Sequence, residues 1–310
     1  MADLSVTSHR SSPTPLSLVE GAYLAYALVQ HVARTAGVRV LFVKGLTVEA
    51  QGLRPPRVSS DVDVLVDPGQ VDQIIEILGG HGWTARPDSS APRFFSLHSQ
   101  SLHHPDWSCD IDVHGSYPGF FADAEDVFDI LWQRRRQMLV AGHHIDVPTP
   151  AASACILAAH AMRNATDARS TEELSYLTHA VLSGPSRPDV FEIAELAGRL
   201  RASETLRPWL AGLGIDAGID DLTAAERWAW NLRLVSGGTT SYHWWIRWHT
   251  ARWWERPSIA VAVALVGSRT ILRRQLPAKD IVMLKLREFQ EARRALRAGE
   301  AAMSRGEDRA

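Results

Sequence analysis

Apolar residues recur at helical spacing between residues 16 and 35, at Leu18, Ala22, Ala25, Leu28, Val29 and Val32, and Gly37 closes that run. The next apolar stretch has a different character. Residues 38–43 (VRVLFV) are β-branched and almost uniformly apolar, the pattern of a short strand covered on both faces. Lys44-Gly45 breaks it, and residues 46–52 predict a short helix. After a loop carrying Arg54, Pro55, Pro56 and Arg57, residues 61–66 (DVDVLV) alternate polar with apolar, as a half-buried strand does. Pro68-Gly69 predicts a turn and residues 71–78 a helix ended by Gly79-Gly80. Residues 93–97 and 108–114 read as two strands flanking a polar turn at Pro105-Asp106. Residues 137–140 and 144–147 read as a hairpin around Ala141-Gly142.

Beyond Pro148 the period changes. Residues 151–164, 171–182, 190–200 and 204–213 all carry helical spacing, a further helix is predicted over 280–298, and no strand pattern follows. The expected class is α+β: a mixed sheet with flanking helices, then a mostly helical part. The expected organisation is a disordered arm over 1–15, a sheet-bearing domain over 16–150, a helical domain over 151–300 and a charged tail over 301–310.

Composition changes this picture little. With 33 basic and 35 acidic residues, the formal charge of −2 gives no global pull toward nucleic acid or anionic membrane, so no DNA sequence recognition is expected. The two cysteines, Cys109 and Cys155, lie far apart and have neither zinc-ligand spacing nor a disulfide framework, which suits a reducing compartment. The longest apolar run, residues 259–266, is too short to span a bilayer, and the first fifteen residues lack the apolar core of a secretory signal. These features give the expectation of a soluble, cytoplasmic protein. Trp244, Trp245, Trp248, Trp253 and Trp254 crowd a late stretch; packing in a helical core is their ordinary explanation, ahead of base stacking or a membrane surface.

The chemistry concentrates in two strands. Asp61 and Asp63 are two apart, so both leave one face of their strand; Asp110, Asp112 and His114 share one face of theirs. Carboxylates pointing one way repel unless a cation lies between them, and hard divalent ions favour carboxylate oxygen. One Asp-x-Asp is commonly just the wet face of an amphipathic strand. Two in one small domain, the first preceded by strand, turn and helix, favour a metal site. The Lys44-Gly45 turn adds backbone N–H groups and an ammonium at a point where a polyphosphate can be cradled. It is not a Walker A loop, since GxxxxGK[ST] is absent.

The order strand, small-residue turn, helix, then Ser60-Asp61-Val62-Asp63-Val64-Leu65-Val66 resembles the core of the DNA polymerase β-type nucleotidyltransferase superfamily. More narrowly, the FVKG turn, Arg57 four residues before Asp61, and the carboxylate-apolar-His end of 112–114 resemble the group of uncharacterised nucleotidyltransferases. His160 and the LRRQLP stretch (272–277) are also similar to that group. The resemblance implies that Asp61, Asp63 and Asp112 are catalytic and hold Mg²⁺ (two ions, with Mn²⁺ as a substitute), and that Lys44, Gly45, Arg57, Ser60, His114 and His160 serve nucleotide binding. The implied reaction moves a nucleoside monophosphate from an NTP such as ATP to a hydroxyl or other nucleophile of a small molecule, an RNA, or a protein or peptide, with release of pyrophosphate. Asp112 is the expected general base, with Asp110 its rival. The turn departs from the superfamily pattern because its Gly-Ser is replaced by Lys44-Gly45. That departure keeps open an inactive nucleotide-binding or scaffold protein of the same fold. A metal hydrolase is a third reading, against which the lack of His-rich ligand spacing counts.

Overall fold

The computed structural model describes residues 16–86, 99–163, 167–184, 187–236 and 251–259. Its first element, α1 (Leu18–Ala36), is fixed at both ends: Ser17 and Glu20 form a reciprocal capping box, and Gly37 ends the helix at φ 69°. The buried Ala22, Ala25, Tyr26, Val29, Val32 and Ala33 follow the predicted face.

A five-stranded mixed sheet lies beneath that helix. It is built from β1 (Val40–Phe42), β2 (Asp61–Val66), β3 (Thr84–Ala85), β4 (Ser99–His103) and β5 (Asp110–His114), in the spatial order β1-β2-β5-β4-β3. β1 runs antiparallel to β2, β2 parallel to β5, and β4 antiparallel to both β5 and β3. The helices α2 (Gly45–Ala50) and α3 (Val71–Gly80) make the connections after β1 and β2.

The pleat sorts the residues of β2 and β5 between two cores. Val62, Val64, Val66, Ile111 and Val113 enter one with Tyr26, Val29, Phe42 and Ile74, between the sheet and α1 and α3. Leu41 and Leu65 turn the other way, into a core shared with α4 (Ala124–Gln133), α5 (Pro150–Met162), α6 (Ala168–Ser183), α7 (Val190–Arg199) and α8 (Ser203–Gly212). Asp61 and Asp63 stand in the same alternation as Leu65, so the carboxylates occupy the face turned toward the helical part of the chain.

The predicted hairpin is β6 (Arg135–Val140) with β7 (His143–Pro148), turned by Ala141 and Gly142, both at positive φ. It packs on α1, where Arg34 Nη2 donates to the His144 carbonyl at 2.9 Å. Two of the three consecutive arginines there are tied down: Arg134 pairs with Glu195, and Arg135 lies over the Trp132 ring at 3.9 Å.

Three expectations need comment. Helix α4 was not anticipated, although Val127, Phe128 and Leu131 form a buried face on it. The strand before the Pro105-Asp106 turn is β4, whose single buried residue is Leu102; the expected strand over 93–97 lies outside the described residues. So do Trp244, Trp245, Trp248, the helix over 280–298 and residues 272–277, whereas Trp253 and Trp254 are described and exposed. Among the described residues no helix is long and apolar enough to cross a membrane.

Candidate active site

Parallel pairing of β2 with β5 sets Asp61 opposite Asp110 and Asp63 opposite Asp112, so the two Asp-x-Asp patterns lie side by side on one face. The backbone amide of Asp110 donates to the Ser60 carbonyl at 3.0 Å, which fixes the start of that register.

Asp63 is the centre of the arrangement. It is 4% exposed, and its Oδ1 accepts from His114 Nε2 at 2.8 Å and from the Lys44 ammonium. Burial acts to raise the pKa of this carboxyl, but Lys44 and His114 overcome burial and hold it well below the usual carboxylate range. Burial acts on Lys44 in the opposite sense, and Tyr117 and Asp63 more than offset it, so the ammonium is retained. Asp63, Asp112 and His114 each offer a ligand atom, all within 4.8 Å of one another. Asp61 stands outside that group, with its Oδ1 accepting from Ser59 Oγ at 3.2 Å. Burial, then the negative charges of Asp63 and Asp112, raise the Asp61 pKa; this is the crowding of like charges that a bound cation relieves. The donor set therefore fits a divalent metal, with Asp63 and Asp112 as its best-placed carboxylates.

Asp110, the fourth carboxylate of this face, is committed elsewhere. Arg86 grips both of its oxygens, at 2.5 and 2.6 Å, across the sheet. Nothing in the sequence signalled that partner.

The turn before α2 is held in an unusual backbone conformation. Lys44 has φ 59° and ψ −155°, a region that residues with a Cβ rarely occupy, and Gly45 follows at φ 51°. A Cβ on Gly45 would meet Tyr26 Oη at 2.6 Å, so glycine is required there by space as well as by backbone. The Thr47 hydroxyl donates to the Lys44 carbonyl at 2.7 Å, and Val43 N donates to the Asp63 carbonyl at 3.0 Å, joining the turn to β2.

A cleft of about 360 Å³ opens beside Asp61 and is lined by Arg57, Ser59, Ser60, Asp61, His160 and the first turns of α6, including Asp167, Arg169, Ser170 and Glu173. Four of the expected residues, Arg57, Ser60, Asp61 and His160, thus share one cavity. Arg57 is ion-paired with Glu173 across it, a partner the sequence did not reveal, and Glu173 is shared with Arg169 one helical turn before it. His160 is part-buried and bonded to Arg163; burial first, then the charges of Lys44 and Arg163, lower its pKa to about 2, so its imidazole stays neutral. Arg163 also lies over the Tyr117 ring at 5.9 Å, and Tyr117 packs against His114 at 6.2 Å between ring centroids. A second cleft, of about 310 Å³, shares Arg57, Val58 and Ser59 and is walled by Val19, Tyr23 and Tyr26 of α1 with Leu46 and Pro56.

The model of a family described as uncharacterised nucleotidyltransferase matches residues 23–207, more than half of the chain, with the Lys44-Gly45 turn and the four carboxylates inside the match. The chain belongs to that family. Solved structures resemble the chain at low identity. An antigenic nucleotidyltransferase-like protein from Paracoccidioides brasiliensis is 13% identical, covering 67% of this chain and 97% of that one at a TM-score of 0.38. The lincosamide antibiotic adenylyltransferase LnuA, solved with lincomycin, is 14% identical, covering 50% and 94% at a TM-score of 0.34. Comparison with curated proteins gave no match. The enzyme class of this chain is nucleotidyl transfer, on a mixed α+β fold.

Proposed function

We propose that the nucleotidyltransferase transfers a nucleoside monophosphate from an NTP to a hydroxyl-bearing acceptor at the Asp61–Asp63–Asp112 face, with a divalent cation. The observation that carries this reading is the parallel register placing Asp63 opposite Asp112, beside the Lys44-Gly45 turn. A divalent cation such as Mg²⁺ or Mn²⁺, held by Asp63 and Asp112 with Asp61 as third carboxylate, would neutralise phosphate charge and acidify the attacking hydroxyl.

The remaining chemistry belongs to the side chains. Asp112 accepts the acceptor's proton; Asp110 is disfavoured in that role because Arg86 neutralises it. The hydroxyl oxygen forms a bond to the α-phosphorus, the α–β anhydride bond breaks, and pyrophosphate leaves with the electron pair. His114 orients Asp63 through its Nε2–H, so the carboxylate presents a fixed oxygen. Arg163 and neutral His160 reach the nucleotide from α5. Alignment and charge placement are most of what such a transfer asks of a protein. Two clefts meeting at Arg57–Ser59 give room for nucleotide and acceptor.

The deciding experiment incubates the protein with each α-labelled NTP, Mg²⁺ or Mn²⁺, and fractionated small-molecule, RNA and protein pools. Label should enter one pool, need the divalent ion, and vanish in an Asp61→Asn/Asp63→Asn variant. NTP binding without any transfer would instead support an inactive nucleotide-binding protein. Neither binding nor transfer would sink both readings.

A further inference from the structure

Most cations around the site are already matched. The Lys44 ammonium and His114 share one oxygen of Asp63, Arg57 is paired with Glu173, and Arg86 holds Asp110. Arg54 is not. It is only 5% exposed, yet it forms no ion pair among the described residues. Its Nη2 donates to the Gly45 carbonyl at 3.2 Å, and its Nε is buried without a partner there. Burial, followed by the charge of Arg57, pulls its pKa down by more than the nearby Glu173 and Glu49 raise it, so an added anion would relieve the guanidinium further. A guanidinium that cannot shed its proton and has no ion-pair partner within reach is costly to bury.

Its position says which ligand. Arg54 stands directly behind Gly45, the residue whose left-handed backbone, together with that of Lys44, shapes the turn. The Lys44 ammonium is committed to Asp63 and is mostly screened from solvent, at 12% side-chain exposure. The turn therefore needs another source of positive charge if it is to meet a polyphosphate.

We infer that Arg54 is a positioning residue for the polyphosphate of the nucleotide: it fixes the Gly45 carbonyl from behind the turn and supplies the positive field that Lys44, engaged with Asp63, does not. This rests on the nucleotidyl-transfer reading and adds to it the residue that sets affinity for the triphosphate group. Neither the length nor the spacing of the FVKG turn pointed to it.

The test uses the full-length chain as wild type, Arg54→Met and Arg54→Lys, with inorganic tripolyphosphate as the binding probe in calorimetry and NTP as the kinetic substrate. Arg54→Met should bind tripolyphosphate about tenfold to a hundredfold more weakly. It should raise KM for NTP by a similar factor while kcat stays within about threefold. Arg54→Lys, which restores the charge but not the fork, should recover part of the tripolyphosphate affinity. Thermal unfolding of all three proteins separates this from damage to the fold. Undiminished tripolyphosphate binding by Arg54→Met overturns the assignment. So does a loss seen mainly in kcat, accompanied by a lower Tm and no recovery in Arg54→Lys, because packing alone explains that pattern. If the wild type binds neither tripolyphosphate nor any NTP, the nucleotidyl-transfer reading itself fails and takes the assignment with it.

Discussion

Asp63 and Asp112, far apart in the chain, are register partners across the parallel pair β2–β5, and Asp61 and Asp110 are the next pair on the same face. The four carboxylates nevertheless differ in surroundings: Asp63 is bonded by Lys44 and His114, Asp110 is gripped by Arg86, and Asp61 borders an open cleft.

That inequality predicts a rank order. Asp63→Asn and Asp112→Asn should each lower nucleotidyl transfer by at least about a hundredfold, beyond the usual effect of outer partners at metal sites. Asp110→Asn should lower it by less than about tenfold, because its charge is spent on Arg86. Initial rates with labelled NTP measure all three. Equal losses at Asp110 and Asp112 would contradict the assignment of Asp112 as base.

The Lys44–Asp63 pair should show in stability. Lys44→Met leaves a buried carboxylate without its ammonium and should destabilise by about 3–5 kcal/mol, while the double variant with Asp63→Asn should lose less than the sum. The sign with pH follows from Asp63, whose folded pKa is depressed. Its contribution is present above the ordinary carboxylate pKa and fades as pH falls through the folded value. The gap between wild type and Lys44→Met in urea unfolding should therefore narrow in acid. A gap independent of pH would mean that the pair is not what Lys44 contributes.

Gly45 and Gly37 make a matched comparison. Both have positive φ, but a Cβ on Gly37 meets nothing within 4 Å, whereas one on Gly45 runs into Tyr26 Oη. Gly37→Ala should cost about 1–2 kcal/mol for backbone conformation alone. Gly45→Ala should cost about 2–4 kcal/mol, conformation plus overpacking. Adding Tyr26→Phe to Gly45→Ala should return part of the difference. Denaturant midpoints decide it.

His160 offers a second dependence on pH, of the opposite chemical type. Its folded pKa, about 2, lies below the ordinary value of 6.5, so the unfolded chain takes up a proton that the folded chain refuses. Stability from this residue is complete above pH 6.5 and declines as pH falls below it, by at most about 1.4 kcal/mol per pH unit. Wild type should lose stability between pH 6.5 and 5 more steeply than His160→Gln. Parallel slopes would show that the imidazole is solvated and free to protonate.

The local sequence was enough to decide which side chains share a face. Alternation in DVDVLV and DIDVH puts Asp61 with Asp63, and Asp110 with Asp112 and His114, whatever the strands pair with, because successive side chains of a strand leave opposite sides. The helices α1, α5, α6, α7 and α8 were legible for the same kind of reason, their apolar positions returning every three or four residues. Two elements were not: β4 has one buried position and so carries no repeating signal, and α4 went unread although its buried face matches that of α7 in size. Only the tertiary structure decided that β5 enters between β2 and β4, and hence that Asp63 faces Asp112. It alone committed Lys44 to Asp63, Arg86 to Asp110 and Arg57 to Glu173, and left Arg54 buried with no ion pair among the described residues. Those outcomes depend on distances between charges remote in the chain, and periodicity records only a residue's relation to its near neighbours.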